Sequence, residues 1–328
     1  MTANPAANTT PTLRPPPRRI AVTGAGGRLG AALIRLWSRS PAQADSPDPA
    51  PVVIPLDRAT LPLDQPDQLE ALLEPLDFDA LVHCAAMTQV DQCEQQPDLT
   101  HRINALAPTA LAAACARRGA RLLHVSTDYV FAGDQPGARR ETDPCHPLSV
   151  YGRAKLNAER AVLDLHPDAI VARVSWVFGP DKPSFIDQLL QRALDQPEVA
   201  AITGKWSAPS YTDDLAGWFA TLLRHPGAAG LLHTCNRGEC TWQELGQFAL
   251  DTARDLGAPL RAHRVDPLTL ADFPSFKAAR PIHTALATDR LAALLGHDIP
   301  DWRDAVRRYL EALRDAGTSF LFTGSRIV

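Results

Sequence analysis

In the segment Arg19-Ile20-Ala21-Val22-Thr23-Gly24-Ala25-Gly26-Gly27-Arg28-Leu29-Gly30, a short apolar run passes through a glycine-rich turn into a second apolar stretch. Arg19 to Thr23 reads as a strand and Leu29 to Trp37 as a helix. Gly24, Gly27 and Gly30 follow a G-x-x-G-x-x-G spacing. Without side chains, they let backbone N–H groups and the start of the helix approach a pyrophosphate. A glycine turn alone marks many ordinary turns. Strand, glycine turn and helix in that order are what a dinucleotide site requires. Gly24, Gly27, Arg28, Leu29 and Gly30 are therefore candidate cofactor contacts.

Outward from this segment, apolar strand-like runs at 19–23, 51–56, 79–84, 121–126 and 169–175 alternate with helical patterns at 28–39, 66–74, 98–118 and 149–165. The alternation predicts right-handed βαβ units and a parallel sheet, an α/β fold of the Rossmann-type doubly wound class. The runs are apolar throughout, as expected of strands covered on both faces. Beyond residue 176 helices (185–194, 215–223, 242–256, 302–313) mix with short strands (199–202, 230–233) and an extended stretch at 280–287. This pattern predicts a smaller mixed α/β lobe over the strand ends, where ligands bind in open sheets. The expected organisation is a tail at 1–18 and an NAD(P)-binding domain at 19–176, with segments returning near 207–233 and 281–289. A substrate lobe follows at 177–206 and 234–315, and a second tail at 316–328. The Pro- and Asp-rich segment 40–51 reads as a loop.

Tyr151 and Lys155 stand four apart in Ser149-Val150-Tyr151-Gly152-Arg153-Ala154-Lys155, at the start of a predicted helix. That spacing places phenol and ammonium on one face. The pattern also suits a solvated helix face. A free phenol is a weak acid at neutral pH, and a nearby ammonium strengthens it. Tyr151 is thus a candidate proton donor, and Lys155 its electrostatic partner and a ribose contact. Thr127, in Ser126-Thr127-Asp128-Tyr129 at the end of the fourth strand, suits a hydroxyl donor to a substrate oxygen, or one that satisfies the strand-end backbone. Ala85-Ala86 after the third strand allow close approach of a dinucleotide or plain packing. Asn104 is either a water-mediated partner of Lys155 or an ordinary helix residue. At the second strand end, Asp57 would accept from a ribose diol, favouring NADH. Arg58 would pair a 2′-phosphate, favouring NADPH.

The composition excludes several other classes. The 328 residues carry 33 basic and 37 acidic side chains, a net charge of −4, with no basic stripe for nucleic acid. No apolar stretch reaches the roughly 18 residues of a membrane span, and the N-terminus lacks a signal-peptide core. The 6 Cys are scattered without C-x-x-C, which suits a reduced, cytoplasmic protein. No metal-ligand spacing is present, and His83 reads as a packed residue. A homodimer is compatible with the sequence but not required by it.

Taken together, these motifs resemble the extended short-chain dehydrogenase/reductase superfamily, and within it the dTDP-4-dehydrorhamnose reductase branch. The likeness runs from about residue 19 to 314. It is carried by Thr23 to Gly30, Ser126-Thr127-Asp128-Tyr129-Val130-Phe131, Glu141-Thr142-Asp143-Pro144 and Pro147 to Lys155. It continues in Arg173-Val174-Ser175-Trp176-Val177-Phe178, Ala208-Pro209-Ser210 and Arg280-Pro281-Ile282-His283-Thr284-Ala285-Leu286. The resemblance implies reduction of the C4 ketone of a nucleotide-linked deoxysugar by NADPH or NADH. It implies a catalytic set of Thr127, Tyr151 and Lys155, and substrate contacts from Thr127, Asp128, Trp176 and Arg280. Dehydratases of this superfamily usually carry Glu where Tyr129 stands, which favours a reductase.

The chain departs from the branch at His83, where Asn is usual, and at Met87, Ser184-Phe185-Ile186 and Ser207-Ala208-Pro209-Ser210. Ala32 stands where some members carry an acid, so no metal ion is implied. Two further activities fit the same resemblance: an epimerase or dehydratase that retains NAD, and a non-catalytic regulatory subunit similar to the β subunit of methionine adenosyltransferase.

Gly27→Val is expected to weaken dinucleotide binding by filling the turn. Fluorescence titration with NADPH checks this, and wild-type affinity would place the dinucleotide elsewhere.

Overall fold

The structure is a computed structural model that describes residues 14–39, 50–317 and 320–323. Six strands form one parallel sheet: β1 (Arg19–Thr23), β2 (Val52–Leu56), β3 (Ala80–His83), β4 (Arg121–Thr127), β5 (Ile170–Val174) and β6 (Gly230–His233). Their spatial order is β2-β1-β3-β4-β5-β6. The chain leaves β1 toward one edge and returns past it to β3. The switch point, with its crevice at the carboxyl ends, therefore lies between β1 and β3.

Period-two alternation divides each strand between two helical layers. Ile20 and Val22 of β1 face a core shared with α1 (Arg28–Trp37), while Ala21 faces the opposite core. The second layer contains α2 (Ala107–Arg118) and α3 (Val150–Leu165). Gly119 ends α2 in a left-handed conformation, φ +66°, as its position after Arg117-Arg118 predicts. The expected single helix at 98–118 is interrupted by a π-helical turn over Arg102–Leu106.

The rest of the chain forms its own core from α4 (Phe185–Asp195), α6 (Trp242–Asp255) and α7 (Trp302–Asp315), while α5 (Thr212–Arg224) packs back beside α1. Strand Val199–Ile202 pairs in parallel with Val265–Leu268, a partner that the Pro at 267 hides from sequence reading. Residues 280–287 form isolated bridges, Trp206 to His283 and Arg139 to Leu286, rather than a strand.

Most of the expected loop at 40–51 and of both tails lies outside the described residues. Where the tails are described they are not free. The Arg14 N–H donates to the Arg224 carbonyl at 2.8 Å. Phe320–Thr323 form a short helix whose Leu321 is buried in the core of α4, α6 and α7, because an apolar residue gains more by docking than by hydration. Among the described residues no helix is long and apolar enough to cross a membrane.

Beneath the strand ends, Glu159 of α3 and Arg173 of β5 form a buried bidentate pair, with Nε–Oε1 at 2.9 Å and Nη2–Oε2 at 2.6 Å. Ser126 Oγ also donates to Glu159 Oε1. Glu159→Ala would leave the guanidinium buried without its counter-charge and is expected to cost about 3–5 kcal/mol. Urea denaturation measures it, and a loss below about 1 kcal/mol would show that the pair is not structural.

Candidate functional site

The glycine turn sits at the carboxyl end of β1. Gly24 adopts φ +72°, and a Cβ there would lie 2.9 Å from the Ala85 nitrogen. A Cβ on Gly30 would stand 2.1 Å from the Gly24 carbonyl oxygen. The turn therefore tolerates no side chain at either position. Gly27 N–H donates to Gly24 O at 2.8 Å, and α1 begins with no side-chain cap and no acid in its first turn. The backbone N–H groups of Arg28, Leu29 and Gly30 are left for an anion.

Thr23 Oγ1 contacts His83 Nδ1 at 2.7 Å and accepts from the Ala85 N–H at 3.2 Å, tying the ends of β1 and β3 together. Ala85 is therefore part of the wall against the turn, and Ala86 follows half-buried. The Arg28 guanidinium points away from the turn, donating to the carbonyls of Val177, Lys182 and Pro183. Its contribution to an anion is its backbone alone. At the end of β2 the Asp57 carboxylate folds onto its own loop and accepts from Ala59 N, Thr60 N and Thr60 Oγ1. These bonds, led by the Thr60 backbone, lower its pKa. Arg58 beside it is exposed.

Thr127 ends β4 with its hydroxyl close to the Tyr151 phenol, whose pKa it lowers. Thr127 Oγ1 also accepts from Tyr129 N at 3.2 Å and donates to Asp128 Oδ1 at 3.1 Å. The approach depends on Gly152: a Cβ there would meet the Tyr129 carbonyl oxygen at 2.3 Å. Ser149 caps α3 by accepting from Gly152 N. Tyr151 is buried, which pushes its pKa up, while the Thr127 hydroxyl lowers it.

The Lys155 ammonium, expected to act on that phenol, is instead held by Val125 O at 2.7 Å and His124 Nε2 at 3.1 Å. Burial brings its pKa down to about 8, with Glu159 acting in the other direction. His124 and His83 stack beneath it with ring centroids 5.2 Å apart. Burial, then the Lys155 charge, lowers both, His83 to about 3 and His124 well below its ordinary value. Both rings are neutral at physiological pH.

Two expected substrate contacts have other partners. Asp128 is buried, and Ser175 Oγ, Ser207 Oγ and Thr284 Oγ1 converge on its Oδ2 at 2.9, 3.0 and 2.6 Å. With Thr127 on Oδ1, its acceptor capacity is spent on the protein. Arg280 forms a fork with Asp91, Nη1–Oδ1 2.8 Å and Nη2–Oδ2 2.6 Å, and lies over the Phe276 ring at 3.9 Å. It fastens the 276–280 segment to the short helix Val90–Gln95, and the pair holds the Asp91 carboxyl well below the usual range. Asn104 is likewise committed. Its side chain accepts from Met87 N at 2.9 Å and donates to Met87 O at 2.8 Å, bracing the loop after β3 from the π-turn.

Trp176 has φ +40°, the one non-glycine positive φ among the described residues. Such strain is concentrated at functional sites. Its indole meets Trp242 edge-on at 5.3 Å and, with Phe185 and Leu245, lines an apolar cleft. Lys205 escaped the sequence reading. It is 3% exposed, 5.3 Å from the Tyr129 ring and 5.6 Å from the Trp176 ring. Its only sequence signal is that it is one of 4 Lys in an Arg-rich chain. Among the described residues no group of three or more His, Cys, Asp or Glu is gathered as a metal site.

The family model described as RmlD substrate binding domain matches residues 18–315. The chain belongs to that family. It is 34% identical over 287 residues to the probable dTDP-4,6-dihydroxy-2-methyloxan-3-one 4-ketoreductase of Streptomyces antibioticus, covering 87% of this chain and 92% of that one. It is 34% identical over 308 residues to the dTDP-4-dehydrorhamnose reductase of Streptomyces griseus, 92% and 96% of the two chains. Among solved structures, the Bacillus anthracis dTDP-4-dehydrorhamnose reductase in complex with NADP superposes with a TM-score of 0.79 at 28% identity, over 90% of this chain and 99% of that one. A dTDP-glucose 4,6-dehydratase of Streptomyces venezuelae at 21% identity, TM-score 0.69, shares the fold.

The buried Lys155 generates a pH-linked prediction. Its pKa falls from 10.5 in a free chain to about 8 when folded. Below about 8 the folded state bears the full penalty of burying the charge. As pH rises from there to 10.5 the penalty fades, and above 10.5 neither state holds the proton. Lys155→Met is therefore expected to raise the melting temperature at pH 7, with the gain shrinking between about pH 8 and 10.5. Thermal denaturation across that range checks it; a pH-independent difference would contradict it.

Proposed function

We propose that this protein reduces the C4 ketone of a nucleotide-linked deoxysugar, with dTDP-4-dehydro-L-rhamnose as substrate and dTDP-L-rhamnose as product, using NADPH. The observation that carries this reading is the closeness of the Thr127 hydroxyl and the Tyr151 phenol at the carboxyl end of β4, beside the β1/β3 crevice. The named activities of the Streptomyces relatives, both 4-keto reductions of dTDP-linked substrates, support it.

The residues present suit a dinucleotide. The uncapped start of α1 and the side-chain-free turn offer N–H donors to a pyrophosphate, with Ala85 and Ala86 on the facing wall. Asp57, turned into its own loop, leaves exposed Arg58 to meet a 2′-phosphate, which favours NADPH over NADH. We place the cofactor half at 19–176 with returns near 207–233 and 281–289, and the substrate lobe at 177–206 and 234–315.

The nicotinamide supplies the hydride. Tyr151 Oη delivers the proton to the developing alkoxide, and the Thr127 hydroxyl, turned from Asp128 Oδ1, donates its one proton to the same oxygen. Lys155, one helical turn on, has one of its three donors uncommitted and would hold the ribose with it. Trp176 forms a wall of the sugar pocket. A dehydration would need a free acid beside Thr127. Asp128 is engaged by hydroxyls and position 129 is a phenol, so reduction is favoured.

Tyr151→Phe is expected to keep NADPH affinity and lose roughly 10²–10⁴-fold in turnover. Loss of NADPH absorbance with dTDP-4-dehydro-L-rhamnose generated in situ measures it. Unchanged turnover would remove Tyr151 from the mechanism. An inactive wild type that still binds NADPH would redirect the substrate to another nucleotide sugar.

A further inference from the structure

Lys205 is the one lysine near the Thr127–Tyr151 pair that the proposed mechanism does not use. Among the described residues its Nζ has no hydrogen-bond acceptor, although the side chain is 3% exposed. An ammonium carries three donors, and burying it without acceptors is costly. What surrounds it are two aromatic rings, Tyr129 and Trp176. These attract a cation, but they accept no hydrogen bond comparable to that of an oxygen. Asp128 is the nearby carboxylate that favours its charge, yet the four Asp128 bonds go to hydroxyls. Burial holds the ammonium at about 8, so it remains largely charged at neutral pH.

The position says which part of a ligand would supply the missing oxygen. The Tyr129 ring packs edge-on against the Tyr151 ring at 5.8 Å and carries Lys205 on its other contact. Lys205 therefore stands about one ring away from the phenol that would meet the ketone. The Trp176 ring, on a residue with φ +40°, lies 5.6 Å from the same ammonium. The fragment of a nucleotide sugar that reaches this close to its own ketone is the hexose ring, with hydroxyl oxygens on neighbouring carbons. The diphosphate and base extend away from it.

We infer that Lys205 is a specificity-determining residue whose ammonium donates to a hydroxyl oxygen of the hexose. This rests on the keto-sugar reductase reading. The desolvation cost is borne in the free protein, and a ligand offering an oxygen at that place recovers it. A buried donor left unpaired discriminates strongly against a ligand that lacks the acceptor.

Calorimetric titration of the full chain with dTDP and with dTDP-L-rhamnose tests the inference. In the wild type the sugar is expected to add affinity over dTDP alone. Equal affinities would overturn the rhamnose reading, and the inference with it, before any variant is made. Lys205→Met keeps the length and removes the donor. It is expected to weaken dTDP-L-rhamnose roughly 10- to 100-fold while leaving dTDP and NADPH within about twofold. Lys205→Gln retains a shorter N–H donor and is expected to lose less. It carries the comparison should Lys205→Met not fold. Equal losses for dTDP and dTDP-L-rhamnose would place Lys205 against the diphosphate and overturn the inference. No loss for either would make it a packing residue between two rings, with the same consequence.

Discussion

The Asp128 carboxylate is buried without a basic partner in hydrogen-bond contact, and it persists because four hydroxyls from separate stretches of chain converge on it. Thr127 comes from the end of β4, Ser175 from just beyond β5, and Ser207 and Thr284 from the segments that return to the sheet. A buried charge must be satisfied or it destabilises the fold. Satisfying this one requires all four segments to be in place at once. The same carboxylate orients the Thr127 hydroxyl, which lies close to the Tyr151 phenol. The position of Thr127 beside Tyr151 is thus tied to the segments that bring Ser175, Ser207 and Thr284 to this carboxylate.

A second layer of buried charge lies beneath. Glu159 and Arg173 neutralise one another between α3 and β5, while Lys155 faces two neutral histidines rather than a carboxylate. His83 occupies the usual Asn position and binds Thr23 at the end of β1. This contact staples the two strands that flank the crevice. It also sets an additional ring next to Lys155. The free energy spent on burying Lys155 and Lys205 is characteristic of sites whose groups are held ready for a ligand rather than arranged for stability.

Much of the frame was legible in the sequence, for identifiable reasons. Ile20, Ala21 and Val22 are apolar without interruption, and such a run implies cover on both faces, which the two helical layers provide. Gly30 is required by a contact within its own turn and Gly24 by its positive φ, so local sequence carries the information, although a Cβ on Gly24 would also meet the distant Ala85. Tyr151 and Lys155 share a helix face by spacing alone. Illegible were the features that depend on distant partners. The strand Val265–Leu268 exists because Val199–Ile202 lies beside it. Arg280 looked like a substrate ligand until Asp91, far away in the chain, was found to occupy both edges of its guanidinium.

The sequence by itself determined the class of fold, the glycine turn and the hydroxyl, phenol and lysine of the candidate site. Each is encoded in local periodicity or spacing, which the backbone expresses without long-range help. Only the tertiary structure decided what Asp128, Asn104, Arg28 and Arg280 do, because each satisfies a buried or half-buried group contributed by another segment. It alone also set Lys205 between two aromatic rings without an acceptor. Hydrogen-bond capacity is finite, and which partner consumes it is settled by where the chain returns, not by what flanks the residue in sequence.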